Sequence, residues 1–392
     1  MFGLGQLASF LVRGKVVRIG PEEVSLLDVD AIHELYSTKE TFVKAPFYTR
    51  FIASPIPNMF STTNIDYHRR HRRMLGGPLS ESSLKVWTQR LHEQATLAVD
   101  KMEEEMRTRG AADVLKWWFF MATDIIGELT FGKSFHMLET GKASYVHEVH
   151  LDQYADDIMT ISSMGTVRST FPTLVKYAQY LPISALKKVK QSVVQMNKHA
   201  TASLDRYESL LKTDSSLVQQ SLFAKLFKAE AEETLPRREI QANSQSYIIA
   251  GSDTVSNSLT YLVWAVCGRP AVRETLVQEL QTLPEDFEEA DLRELKYLNQ
   301  VIQESMRLYG AVQTGMPRSV PAEGRQLVGH WIPGGTTVSV QAYSMHREEE
   351  VFAEAETFDP SRWDSPTKEM RLAMMHFSWG ARGKSLYIYL AL

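Results

Sequence analysis

Apolar positions along this chain recur mostly at the three-to-four-residue spacing of a helix. Ala111 to Thr130 carries Trp117, Trp118, Phe119, Phe120, Ile125 and Ile126, and is interrupted by Asp124 and Glu128. That pattern predicts a buried helix and not a membrane span. Tyr247 to Val266 predicts a second long apolar helix. Pro270 to Leu283 and Asp291 to Tyr309 predict amphipathic helices, the latter with Leu292, Leu295, Leu298, Val301, Ile302 and Met306 at helical spacing. Strand patterns are few. Val16-Val17-Arg18-Ile19 and Glu23-Val24-Ser25-Leu26-Leu27 flank the turn pair Gly20-Pro21. Gln326 to Ile332 and Thr336 to Val340 flank Pro333-Gly334-Gly335 and predict a hairpin. Residues 205–240 mix Lys, Glu and Ser and predict exposed helices and a loop. The expected fold class is mainly α with a small β region assembled from distant pieces of chain.

Composition adds bounds. A 392-residue chain that is 44% hydrophobic and 23% charged has an ordinary globular core. A net charge of −4 gives no global push toward nucleic acid or an anionic membrane. One cysteine excludes an intrachain disulfide framework, which suits a reducing compartment. Cys267 ends an apolar helical run and reads as a small buried hydrophobe. No stretch approaches the ~18 apolar residues of a membrane span. Met1 to Arg13 is mildly apolar and lacks the charged start and cleavage site of a signal peptide; it reads as a remnant or a surface-lying helix. Without repeats, low-complexity tracts or long linkers, residues 1–392 read as one continuous domain.

Candidate chemistry sits in a few places. Ala250-Gly251-Ser252-Asp253-Thr254-Val255-Ser256 puts glycine and small polar residues inside an apolar helical run. Such residues compete with helix hydrogen bonding, and local rule-breaking of this kind marks functional sites. The plainer alternative is that Ser252 or Asp253 caps a helix that starts later. Glu304 and Arg307 share a helical face at i, i+3, which by itself any solvated helix can carry. His68-Arg69-Arg70-His71-Arg72-Arg73 is a basic cluster whose composition alone allows nucleic-acid binding or a localisation signal, against a net negative chain. His330, His346 and His376 lack metal-ligand spacing and read as ordinary core or surface residues. Gly383-Lys384-Ser385 imitates the end of a phosphate loop, but Ser378 stands where that loop needs its first glycine. No flavin or nicotinamide motif is visible.

Phe377-Ser378-Trp379-Gly380-Ala381-Arg382 strongly resembles the haem-binding loop of the cytochrome P450 family, F-x-x-G-x-R-x-C-x-G. Ala250 to Thr254 is similar to the family's A-G-x-D-T. Glu304 to Arg307 with Phe358-Asp359-Pro360-Ser361-Arg362-Trp363 resembles its E-x-x-R and P-x-R-[FW] pair, and His68 to Arg72 its [WH]-x-x-x-R. These motifs occur in family order over nearly the whole chain. Phe131 to Phe135 and Tyr343 to Arg347 add the flavour of filamentous-fungal members of secondary metabolism.

The resemblance implies a cytochrome P450-like fold and a haem-thiolate monooxygenase, an oxidoreductase that inserts one oxygen atom from O2 into an apolar organic substrate. It implies haem (iron protoporphyrin IX) as cofactor, with His68, Arg72, Arg318 and Arg382 at its propionates and Phe377 and Gly380 in its loop. Gly251 would leave room for dioxygen, Thr254 would hydrogen-bond it and Asp253 would relay protons. Glu304, Arg307 and Arg362 would form a structural triad, with two bidentate arginines on one carboxylate. Electrons would come from NADPH-cytochrome P450 reductase. Val312-Gln313-Thr314-Gly315 and the helices near 150–190, with Met159, Ile161, Met164 and Phe171, would contact substrate. No nucleic acid is implied. The family usually resides at the endoplasmic reticulum membrane; this chain, lacking a transmembrane anchor, is expected to be cytoplasmic or membrane-peripheral.

The chain departs from the family in three places. It lacks the N-terminal anchor, it stops within the helix that follows the haem loop, and the thiolate cysteine is absent. Two registers fit the loop. Without a gap, Lys384 takes the ligand slot; with a three-residue gap between Arg382 and Gly383, Gly383 is the family's second glycine and Lys384 opens the next helix. The gap is the better reading, because an amine must first lose its proton and lacks the thiolate's electron push. No residue is therefore assigned as a metal ligand. The alternatives to a fragment of an active monooxygenase are a decayed gene product and a non-catalytic haem- or ligand-binding remnant.

Overall fold

Val16–Gly20 (β1) turns into Glu23–Leu26 (β2), with Val16 opposite Leu26 and Arg18 opposite Val24. Asp28 then accepts the Ala31 N–H at 2.9 Å and caps Val29–Leu35 (α1). After Val43–Lys44 (β3) come, among the described residues, the helices Phe47–Phe51 (α2), Ile65–Gly76 (α3), Thr88–Arg109 (α4), Val114–Phe131 (α5), Met137–Thr140 (α6), Asp152–Thr170 (α7), Pro172–Ala178 (α8), Ser184–Thr213 (α9) and Arg237–Cys267 (α10). Pro270–Leu280 (α11), Glu289–Glu294 (α12) and Lys296–Tyr309 (α13) follow. The strands Arg318–Ser319 (β4), Arg325–Leu327 (β5), His330–Ile332 (β6) and Thr337–Val340 (β7) precede Ala342–Met345 (α14) and Lys368–Ala373 (α15). This computed structural model describes residues 14–39, 41–52, 54, 56–76, 85–141, 152–178, 180–213, 221, 227–228 and 235–383. The opening segment 1–13 and the Lys384 register lie outside the described residues, as does much of 205–240.

Two compact units divide the chain, Met1–Ala45 with Asn257–Leu392 and Pro46–Ser256. The first, the sheet unit, holds a five-stranded sheet in the order β1-β2-β7-β4-β3 and a separate β5-β6 pair. β2 runs parallel to β7, Leu26 opposite Val340, while β4 is antiparallel to both β7 and β3. Leu26, Ile32, Val338, Val340 and Phe352 are fully buried in its core. The expected assembly of distant strands is observed, but the second hairpin is not where the pattern put it. β5 and β6 pair with each other, Gln326 opposite Trp331, because Val328 and Gly329 take positive φ (47° and 76°) and turn the chain inside the run read as one strand. Asp291 to Tyr309 likewise breaks in two at Leu295, whose ψ of 106° is extended.

The second, helical unit contains the buried helix expected over Ala111 to Thr130. It is α5, capped by Asp113, which accepts the Lys116 N–H at 3.0 Å. Glu105 of α4 ties the two helices together. It accepts from Asp113 N at 3.0 Å, Lys116 Nζ at 2.7 Å and Trp117 Nε1 at 2.7 Å, and pairs with Arg109. These donors, led by Lys116, hold its pKa down at about 2.

Candidate functional site

Within the sheet unit, α13 carries Glu304 and Arg307, both with no solvent exposure. Glu304 Oε1 accepts from Arg307 Nη2 at 2.7 Å, Arg362 Nε at 3.0 Å and Asp359 N at 2.9 Å. Its Oε2 accepts from Arg307 Nε at 2.9 Å and Trp363 Nε1 at 2.9 Å. Arg307 is bidentate as expected; Arg362 reaches one oxygen only. Its Nη1 instead donates to Ala353 O at 2.8 Å. Arg307 Nη1 donates to the carbonyls of His346 and Ala355, each at 2.6 Å. His346 locks the same corner: its Nδ1–H donates to Arg307 O at 2.9 Å and its Nε2 accepts from Met375 N at 3.1 Å. Burial and the neighbouring His376 push the His346 pKa down to about 3, so the ring is neutral.

The edge of the sheet gathers positive charge. Lys44 of β3 sits directly opposite Arg318 of β4, and both are buried. Like charges across a strand pair repel. Burial first, and then the charges of Arg318 and Arg382, hold the Lys44 amine well below the ordinary lysine value. The Arg318 guanidinium lies 5.3 Å from the Tyr36 ring centroid. Its Nε is buried without a hydrogen-bond partner, and no ion pair engages Arg318 among the described residues. Tyr36 is fixed by donating to Met316 O at 3.0 Å and accepting from Val340 N at 3.1 Å. Gly380, at φ 68°, presses on Tyr36 and Ser37: an added Cβ would overlap the Tyr36 carbonyl oxygen. The loop from Phe377 to Gly383 is thus brought to the segment that precedes β3, and Gly383 N closes a turn on Gly380 O at 3.1 Å. A cavity of about 530 Å³ in this unit is lined by Leu259, Leu262, Ile302, Met306, Met374 and Trp379, with Phe377 the one predicted site residue on its wall.

Within the helical unit, Gly251, Asp253 and Thr254 lie deep inside α10, which starts at Arg237, so the capping alternative for Ser252 or Asp253 is excluded. A Cβ at Gly251 would lie 2.9 Å from Ile126 Cγ1, so here glycine permits α10 to approach α5. Thr254 Oγ1 donates to Ala250 O at 2.6 Å, which leaves its lone pairs for another donor. Asp253 is half-buried. On α3, His68 and His71 are buried and Arg72 half-buried, while Arg69, Arg70 and Arg73 face solvent. The basic run is therefore divided between two faces and presents no continuous basic stripe. Val312 and Phe171, expected near substrate, are both exposed; the Met159 side chain lies outside the described residues.

Sequence reading missed Lys44, Tyr36, His346 and Trp363 as partners in these clusters. A lone lysine in the apolar run Phe42-Val43-Lys44-Ala45 was the one available signal, since lysine is rarely buried without a reason. Cys267 also corrects expectation. It is exposed at the last position of α10, directly after the buried Ala265 and Val266. Set against a haem, the Lys44, Arg318 and Arg382 cluster fits the two carboxylates. The iron side has no counterpart: the sequence carries no cysteine between Arg382 and Gly383. Among the described residues no group of three or more His, Cys, Asp or Glu side chains is placed to hold a metal. The chain as it stands offers carboxylate anchors without the axial thiolate.

A small mixed sheet, a long helix carrying small polar residues in its interior and a Glu-Arg-Arg clamp together define a P450-type fold. The sequence profile of the family Cytochrome P450 matches residues 15–383, and the chain belongs to that family. It is 41% identical to cytochrome P450 monooxygenase tazI of Aspergillus terreus over 371 residues, covering 94% of this chain and 74% of the relative. Against cytochrome P450 monooxygenase azaI of Aspergillus niger the identity is 33%, over 96% of this chain and 83% of the relative. Against benzoate 4-monooxygenase bphA of Aspergillus niger it is 31%, over 94% and 76%. Fold class, family and the class of enzyme agree with the expectation from the motifs.

Proposed function

We propose that residues 1–392 form one P450-like domain, the scaffold of a haem-thiolate monooxygenase acting on a small apolar organic substrate of fungal secondary metabolism. The observation that carries the cofactor reading is the buried Arg318 guanidinium, opposite Lys44 and without an ion pair among the described residues. A haem propionate is the carboxylate that would neutralise this cluster by charge-assisted hydrogen bonds. Lys44, Arg318 and Arg382 would hold that group from the sheet unit; Phe377 and Gly380 shape the loop. In the helical unit, His68 and Arg72 keep the propionate role that the resemblance gives them. Bound haem supplies dioxygen activation in this family, and here the chain lacks the axial thiolate which that chemistry uses. The chain's own residues can still move a proton. Asp253, half-buried, and Thr254 Oγ1, hydrogen-bonded within its helix, lie one residue apart on α10. Electrons would come from NADPH-cytochrome P450 reductase, the sequence having no flavin or nicotinamide motif of its own.

The missing cysteine favours a second reading, a haem- or ligand-binding remnant without turnover. Two titrations separate the readings. Hemin added to the protein should develop a Soret band that Arg318→Ala weakens about tenfold or more. A chain with Xaa-Cys-Xaa inserted between Arg382 and Gly383 should then give a thiolate-type carbon monoxide difference spectrum and reductase-dependent oxygen turnover. An inserted chain that binds hemin and never shows the thiolate spectrum would refute the gap register and leave the remnant reading.

A further inference from the structure

We propose that Lys44 of the haem-free chain is a carbamylation site, at which carbon dioxide adds to the side-chain amine and Arg318 and Arg382 hold the resulting carbamate. Lys44 and Arg318 are a cross-strand pair, and Ala45 N extends the β3–β4 contact by donating to Pro317 O at 3.2 Å. Lys44 is 8% and Arg318 4% exposed, and the flanking Phe42, Ala45 and Val320 are buried as well. The strand register therefore sets two basic side chains in one dry place, where like charges opposite each other destabilise the pairing.

Arg318 is short of an acceptor. Its Nε is buried without a hydrogen-bond partner, and no ion pair engages Arg318 among the described residues. The Tyr36 ring lies beside its guanidinium, but the Tyr36 hydroxyl is already committed, donating to Met316 O and accepting from Val340 N. A carbamate on Lys44 would bring two acceptor oxygens to the strand position directly opposite.

Only an unprotonated amine attacks carbon dioxide. An exposed lysine, with a pKa of about 10.4, is free base in fewer than about one molecule in a thousand at pH 7. Lys44 differs, because burial first, and then the charges of Arg318 and Arg382, hold its pKa well below the ordinary value. Buried lysines serve as nucleophiles for this reason. The Nζ lone pair forms the N–C bond, one C=O π pair moves onto oxygen, and an amine proton leaves to water; nothing is oxidised or reduced. The product, Nζ–COO⁻, turns a pair of basic side chains into an ion pair with charge-assisted hydrogen bonds. Carbon dioxide suits the place: it is uncharged and small, so it reaches a buried amine without the desolvation cost that an anion such as bicarbonate carries. On the cofactor reading a haem propionate would take the same guanidiniums, so haem and carbamate would be alternative occupants. The carbamate itself forms without haem and does not depend on that reading.

The test is carbon-13 NMR of the full haem-free chain equilibrated with labelled bicarbonate at pH 7, followed by trapping with a trialkyloxonium salt and peptide mass spectrometry. The parent should show a protein carbamate resonance that Lys44→Met lacks and that Arg318→Met reduces about tenfold or more. Trapping should place the alkyl carbamate on Lys44 of the parent chain, a result that needs no variant to fold. Bicarbonate should raise the melting temperature of the parent relative to chloride at equal ionic strength and leave Lys44→Met unmoved. A parent spectrum equal to that of Lys44→Met, trapped groups on exposed amines with none on Lys44, or full occupancy in Arg318→Met overturns the proposal. A melting shift that Lys44→Met shares, with nothing trapped on Lys44, marks an anion held without the covalent bond and overturns it too.

Discussion

Glu304 is fully buried, yet five donors from Arg307, Arg362, Trp363 and the Asp359 backbone satisfy its two oxygens. Removing one partner of such a group leaves an uncompensated buried charge. Arg307→Met should therefore cost about 3–5 kcal/mol in urea unfolding, or prevent folding. Glu304→Gln should be as damaging, because a neutral amide then faces two guanidiniums. Lys44 is the opposite case. Burial and two cations disfavour its charged form, so Lys44→Met should stabilise the ligand-free chain by roughly 1 kcal/mol. The same change should weaken hemin binding, which calorimetry and Soret titration measure separately. At this scale the Glu304 and Arg307 pair was legible from i, i+3 spacing plus a motif. Lys44 was not, because its significance comes from its register opposite Arg318, a strand far away in sequence.

Between elements, the contact of α10 with α5 depends on Gly251 lying over Ile126. Gly251→Val should destabilise by about 1–3 kcal/mol through overpacking, and Ile126→Ala should recover part of that loss in a double-mutant cycle. Failure of Ile126→Ala to recover any of it would show that the glycine serves another purpose. The α4–α5 junction hangs on Glu105, whose ordinary pKa of 4.5 is lowered to about 2. Its stabilisation is complete above the unfolded value and fades as pH falls through about 2; Glu105→Ala should cost about 2 kcal/mol at pH 7. The α5 helix was readable because 12 of its 18 positions are apolar, among them Trp117, Phe119, Phe120 and Ile126. The start of α10 was not, since Asn243 and Ser244 are polar yet fully buried. Asn243 Oδ1 accepts from Met59 N at 2.9 Å and its Nδ2 donates to Glu239 O at 2.8 Å. Tertiary hydrogen bonds make a helical core position out of residues whose local preference is for caps and turns.

For the molecule as a whole, acid stability follows from two histidines. His346 is held neutral with a pKa of about 3 and His376 of about 4, both chiefly by burial. A histidine with a depressed folded value contributes fully above pH 6.5, and its share is lost as pH falls toward the folded value. The unfolding free energy should fall by about 1.4 kcal/mol per pH unit for each of them between roughly pH 6 and 4. His376→Phe should shallow that slope by one histidine's share in urea titrations across the range. The sequence by itself determined the helical class, the order of the motifs, the clamp around Glu304, the family and the absence of its thiolate, because each depends on residue identity and local spacing. Tertiary structure alone decided which strands pair, where the second hairpin turns, and that Lys44 and Arg318 face each other. It also decided that Cys267 is exposed and that the aromatics of 167–183 face outward. Each of these rests on which surfaces meet between segments distant in the chain, and local periodicity carries no record of that.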